Sequence, residues 1–141
     1  MTTKEYLGQI SRLDRVINNK LSELAQFKTM MCSISAVKNS DRVQTTPEHD
    51  KIGSGLAKVW DMEQKIDKMV DEYVDKRDLI IAQIDGIEDE ILYEILFSRY
   101  IEKKTFEKIA CDMDYSYRQT IRLHGKALLE FEKKYGKLYL H

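Results

Sequence analysis

Apolar residues recur at steps of three and four along most of this chain, which is the signature of amphipathic helices rather than strands. Over residues 3–35 the apolar positions are Tyr6, Ile10, Leu13, Ile17, Leu21, Leu24, Phe27 and Met31, with polar residues between them. This spacing predicts one long helix with a heptad-like seam that stutters near Leu24 and Phe27. At ~1.5 Å per residue such a helix is about 45–50 Å long, and it needs a partner for its apolar stripe. A second stripe covers residues 54–84: Leu56, Val59, Met62, Ile66, Met69, Tyr73, Ile80 and Ile84, interrupted by Lys76 and Arg77, with Trp60 beside it as a packing anchor. Residues 36–50 between the two are rich in turn formers and end in Thr46-Pro47-Glu48, a helix-start signal. Gly53 and Gly55 weaken the first turns, so the firm helix is expected from near Ser54. Two long helices joined by such a loop predict an antiparallel, coiled-coil-like hairpin. One stripe per helix leaves little interior, so a homodimer or higher homo-oligomer is expected.

Gly86 reads as a hinge. Residues 87–101 then predict a shorter helix, with Glu88, Asp89 and Glu90 near its N-terminus and Ile91, Leu92, Ile95, Leu96 and Tyr100 on its core face. Lys103 and Lys104 make a turn, and Thr105 caps the next helix, whose face is Phe106, Ile109, Ala110 and Met113. Residues 112–115 break the period. Ser116 followed by Gln119 forms an S-x-x-Q capping box, so a new helix starts at Tyr117. Its apolar stripe is Thr120, Leu123, Ala127, Leu128 and Phe131, and its opposite face carries Tyr117, Arg118, Gln119, Arg122 and Lys126. Residues 133–141 either fray or pack back through Leu138, Tyr139 and Leu140. The predicted class is all-α: a helical hairpin assembly domain over residues 1–86, then a helix-turn-helix domain over 87–141.

Composition supports long helices, with 33% charged residues, one proline and six glycines in 141 residues. The overall charge of −1 does not point to nucleic acid, but its distribution does. Residues 1–96 carry 13 Lys and Arg against 18 Asp and Glu, whereas residues 97–141 carry 10 against 6. A basic end on an acidic body is the electrostatic footprint of a DNA-binding module attached to an assembly module. From residue 115 to 126 there are three basic residues and no acid. A helix whose first turns carry Arg and Gln suits base edges and phosphates of a major groove.

Arg118, Gln119 and Arg122 are the candidates for base contact. Arg matches guanine O6/N7 and Gln matches adenine N6/N7. Tyr117 suits a sugar or a thymine methyl. Ser116, Lys104 and Lys126 suit phosphates, with Lys103 and Lys108 secondary. His124 falls beside the basic face and reads as a surface residue or phosphate contact. Gly125, mid-helix, suggests close approach of the first long helix or of DNA.

The two cysteines, Cys32 and Cys111, are too few and too separated for a disulfide framework or a zinc site, and read as small buried residues. His49 and Asp50 have no third ligand nearby, so no metal is expected. Asp61, Asp67, Asp71, Asp75 and Asp78 follow a solvated helix face. No nucleophile-base set, phosphate loop or cofactor motif is present, so neither an enzyme nor a cofactor is expected. No signal peptide or membrane-length apolar run is visible, and the expected location is the cytoplasm of a bacterial host cell.

Over residues 96–129 the chain resembles sigma-factor region 4. The matching residues are Arg99-Tyr100, Thr105-Phe106-Glu107-Lys108-Ile109-Ala110, Ser116-Tyr117-Arg118-Gln119 and Lys126-Ala127-Leu128. The whole chain is similar to small phage and prophage regulators of the RinA and ArpU type. That likeness rests on Asp41-Arg42-Val43-Gln44-Thr45-Thr46 and on Tyr115-Ser116-Tyr117-Arg118-Gln119 with Arg122-Leu123-His124-Gly125-Lys126-Ala127. The resemblance implies a regulator of phage late genes that binds double-stranded promoter DNA and touches RNA polymerase. No sigma region 2 is recognisable, so a complete sigma factor is not implied. Thr120 stands where sigma factors usually carry an aliphatic residue, which implies looser packing of that helix. A DNA-packaging adaptor like a small terminase subunit shares this helix content, as does a helical protein-interaction module that does not bind DNA.

Overall fold

The structure, a computed structural model, describes residues 1–40 and 46–140, with the side chains of 34–40 and 46–51 outside the description. The elements are α1 (Thr3–Leu7), α2 (Gln9–Ser40), α3 (Thr46–Asp85), α4 (Glu90–Leu96) running into a π-helical turn (Phe97–Ile101), α5 (Phe106–Met113), α6 (Tyr117–Tyr135) and a closing 3-10 turn (Gly136–Leu138). Of the loop expected over 36–50, residues 41–45 lie outside the described residues, whereas 36–40 extend α2 and 46–50, with His49 and Asp50, belong to α3. No strand occurs among the described residues, so the protein is all-α.

The long N-terminal helix expected over 3–35 divides at Gly8. The backbone ladder hardly breaks there, since the Gly8 amide donates to the Lys4 carbonyl at 3.0 Å and the Arg12 amide to the Gly8 carbonyl at 3.1 Å. Thr2 and Glu5 form a reciprocal capping box that starts α1. α3 begins at the Thr46 signal rather than near Ser54, so the two glycines are carried inside the helix.

The chain divides into two compact units, residues 1–13 with 73–141, and residues 14–72. The division expected at residue 86 would cut through the first unit. Ile80, Ile84, Ile87 and Leu92 share one apolar core with Tyr6, Leu7 and Ile10 from the N-terminus. Gly86 is not a hinge but a packed turn. Its amide donates to the Gln83 carbonyl at 3.1 Å and the Ile87 amide to the Ile84 carbonyl at 3.0 Å, while the Lys134 ammonium donates to the Gly86 carbonyl.

Phe131 is fully buried at the centre of this unit. The Tyr6 ring stacks on Tyr139 with centroids 4.2 Å apart, and both rings lie beside Phe131, at 6.1 and 6.2 Å. The hydroxyls of this cluster are satisfied. Tyr139 shares a 2.8 Å hydrogen bond with Thr3 Oγ1, and Tyr6 donates to Gln83 Oε1 at 2.7 Å. The C-terminal tail thus packs back through Tyr139, whereas Leu138 and Leu140 remain exposed. Leu92, Ile95, Leu96 and Tyr100 are buried as expected, but Ile91, at the edge of that face, is exposed.

In the second unit the buried apolar residues, among those described, are Ile17, Leu24 and Ile66. Lys28 pairs with Glu63 at 3.1 Å, Lys58 Nζ lies 4.7 Å from the centre of the Phe27 ring, and the Met31 side chain lies against Gly55. Lys20 and Glu23 lie with Met62, Ile66 and Met69, whereas Met31 lies against Gly55, so within this unit the two segments run in opposite directions. Two residues expected in the seams are exposed instead, Leu21 and Leu56, and so is Trp60. Leu56 is 60% exposed and Trp60 61%, because with Ile52 they form an i, i+4, i+8 row on the flank of the seam made by Met62, Ile66 and Met69.

The stacked tyrosines make a testable demand on the core. Tyr139→Ala should lower the stability of the first unit by about 3–5 kcal/mol, as for other large aromatic truncations, whereas Tyr139→Phe, which loses only the Thr3 bond, should cost about 1 kcal/mol. Urea unfolding followed by circular dichroism checks both values, and equal losses for the two variants would remove the ring stack from this role.

Candidate nucleic-acid interface

The interface is built from α5, a tight turn and α6. Thr105 caps α5 by accepting from the Lys108 amide. The helix stops because Asp114 takes a left-handed conformation (φ 59°, ψ 35°), a state that short polar residues tolerate. The Tyr115 amide then closes back on the Ala110 carbonyl at 3.0 Å, a Schellman-type ending. Ser116 immediately caps α6 by accepting from the Gln119 amide at 3.1 Å. Few rotatable bonds separate the two helices, so α6 is held at a definite angle to α5.

The entry to α5 is equally constrained. The π-helical turn ends with the Lys104 amide donating to the Ser98 carbonyl at 3.0 Å, and Lys103 is left-handed at φ 60°. The Arg99 guanidinium lies 4.3 Å from the centre of the Phe106 ring and donates to the Lys104 carbonyl at 3.0 Å. Arg99 therefore ties the turn to α5, a structural role that periodicity in the sequence does not signal.

α6 is two-sided. Thr120, His124, Ala127 and Phe131 form its buried row, at the i, i+4, i+7, i+11 spacing of one helical face. The assignment of His124 to the surface is thereby corrected, because this residue is only 6% exposed. Its Nε2 shares a 2.8 Å hydrogen bond with the Tyr100 hydroxyl, and Phe106 meets the ring edge-on at 4.7 Å. Burial, reinforced by the positive charges of Lys4 and Arg99, holds the imidazole down at about 4. Burial likewise pushes the Tyr100 phenol up to about 12, against a small opposing pull from Arg99. At neutral pH the pair is uncharged, which suits a helix-helix contact. Thr120 is fully buried too rather than loosely packed, since its hydroxyl donates to the Ser116 carbonyl at 2.9 Å and leaves its methyl to pack.

The opposite side of α6 carries the candidates. Ser116, the N-cap, and Tyr117, Arg118, Gln119, Arg122 and Lys126, spread over the first three turns of α6, are all exposed. Arg118 and Arg122 make no ion pair among the described residues. Lys126 stands differently, on the rim of a cleft also lined by Glu88, Asp89 and Glu130. Lys104 stands apart from the group. Its ammonium sits 3.2 Å from both Glu102 and Asp112, and hydrogen bonds to Asp112 first and Glu102 second raise its affinity for its proton. Lys108 is paired with the same Asp112 at 3.2 Å. A phosphate at either lysine would have to compete with these carboxylates.

No protein-family model, curated protein or solved structure matches the chain.

Sequence reasoning missed Ile121, which is 38% exposed between Arg118 and Arg122; its i+4 spacing from Tyr117 was the available signal. Gly125 has open space where a Cβ would be, so close approach of the first long helix does not explain it. Both cysteines are exposed rather than buried. No cluster of three or more metal-ligating side chains exists among the described residues, and no described helix is long and apolar enough to cross a membrane.

His124 gives the unit a pH dependence. Its folded-state value of about 4 lies below the ordinary 6.5, so the unfolded chain binds the proton more tightly. Its contribution to stability is complete above pH 6.5, declines as the pH falls towards 4, and levels off below that, by up to ~3 kcal/mol. His124→Gln keeps a partner for Tyr100 but cannot titrate. Thermal melts of both proteins from pH 7 to 4 should show a shallower acid decline in the variant, and parallel declines would contradict the assignment.

Proposed function

We propose that this chain is a DNA-binding transcriptional regulator of the phage type, acting on promoter DNA together with RNA polymerase. One observation carries the DNA part of this reading. The first turns of α6 expose Tyr117, Arg118, Gln119 and Arg122, with no ion pair on either arginine among the described residues, while another face is held in the core by Thr120, His124, Ala127 and Phe131. A rigid helix with unpaired bidentate donors at its N-terminal end is what major-groove recognition requires.

In this reading Arg118 and Arg122 take guanine O6 and N7, and Gln119 takes adenine N6 and N7. Ser116 accepts from the Gln119 amide but keeps its own hydroxyl proton, which can be given to a phosphate. Lys126 adds positive charge beside the groove. The polymerase contact and the phage late-gene role rest on the resemblance to sigma region 4 and to the RinA and ArpU regulators. The exposed Leu56 and Trp60 support self-association through residues 14–72, and we assign a homodimer on that ground. Light scattering at micromolar concentration should give twice the chain mass, falling to one chain mass in Leu56→Glu with Trp60→Glu; a monomeric wild-type protein would refute it.

The DNA reading is tested by selecting fragments of source genomic DNA at ~0.15 M salt, a condition that suppresses purely electrostatic binding. Fragments upstream of a gene block are the expected outcome. Arg118→Ala and Arg122→Ala should each weaken the selected complex by about 1–3 kcal/mol, with the helical circular dichroism unchanged. Fragments from a packaging locus would favour a terminase-like adaptor. No retained fragment at any salt would leave a protein-interaction module.

A further inference from the structure

The exposed side of α6 holds two parallel rows, and only one of them is charged. Arg118 and Arg122 form the cationic row, four residues apart. Tyr117 and Ile121 form an apolar row beside it with the same spacing, 51% and 38% exposed. Gly125 continues that row, and beyond its own stretch of helix no described atom lies within 4 Å of the place its Cβ would occupy. A single exposed apolar residue needs no explanation. Here a branched aliphatic and an aromatic side chain lie one turn apart beside two arginines that make no ion pair among the described residues, followed by a glycine that costs the helix about 1 kcal/mol relative to alanine. The glycine gains the chain no packing in return.

The partner that fits both rows is a duplex major groove. Its guanine edges offer acceptors to the arginines, and the apolar group it presents is the thymine 5-methyl. Resting on the DNA-binding reading above, we infer that Ile121, backed by Tyr117, seats a thymine methyl and makes the protein select a thymine next to the guanines read by Arg118 and Arg122. The absence of a side chain at Gly125 lets the helix backbone come close to the duplex on the following turn. Ile121 is then a specificity-determining residue rather than a stray surface aliphatic.

The test removes one methyl group from each side of the contact. Duplexes are selected from a random library with the full chain, and each thymine of the retained sequence is replaced in turn by deoxyuridine, which lacks only the 5-methyl. Binding is measured for the wild-type protein and for Ile121→Ala, with circular dichroism as the fold control. One thymine position should lose about three- to fivefold in affinity on replacement, the worth of one buried methyl. That loss should disappear in Ile121→Ala. Wild-type binding insensitive to deoxyuridine everywhere, or a sensitivity that persists in Ile121→Ala, overturns the inference while leaving DNA binding intact. Failure to retain any duplex overturns the DNA-binding reading and this inference with it.

Discussion

The stack of Tyr6 on Tyr139 against Phe131 is the interaction on which the rest of the first unit depends. It joins the N-terminal helix, the C-terminal turn and the C-terminal half of α6, the first of these far from the other two in the chain. Burying three aromatic rings removes a large apolar area from water, and the rings bring polar ends that must be satisfied. Thr3 and Gln83 satisfy them. The same contact helps to fix which side of α6 is covered. Along the 19 residues of α6 the covered row runs from Thr120 through His124 and Ala127 to Phe131, and the first turns expose their other side.

Local devices convert that anchoring into a defined angle. Asp114 ends α5 in one left-handed step, and Ser116 caps α6 without an intervening loop. Arg99 clamps the turn before α5 through Phe106 and the Lys104 carbonyl. The buried Tyr100 and His124 pair gives the α6 contact a polar bond in an otherwise apolar interface. Buried polar pairs of this kind are costly when half satisfied, so they favour one packing arrangement over near alternatives.

The second unit obeys a different economy. Two helices can cover only one stripe of each other, and among the described residues the buried apolar set is Ile17, Leu24 and Ile66. The row of Ile52, Leu56 and Trp60 stays exposed outside that seam.

Much of this was legible in the sequence. The 3.6-residue period, the Thr105 and Ser116 caps and the break at 112–115 are local properties, so the helical class, the α5 and α6 starts and the basic turns of α6 could be read directly. The side on which a borderline residue falls was not. His124, Leu56, Leu21 and Ile91 each lie near the edge of an apolar stripe, where a rotation of the helix by a few tens of degrees decides burial, and that rotation is set by the neighbouring helix. Lys104 and Lys126 were read as cations, but which acids stand beside them depends on packing. The union of residues 1–13 with 73–141 was likewise invisible, because Tyr6 and Tyr139 meet across nearly the whole chain length and no local pattern records such a contact. The sequence alone determined which segments are helical and where the cationic turns lie. Only the tertiary structure decided which faces are covered, because burial is a property of two surfaces and a sequence pattern describes one.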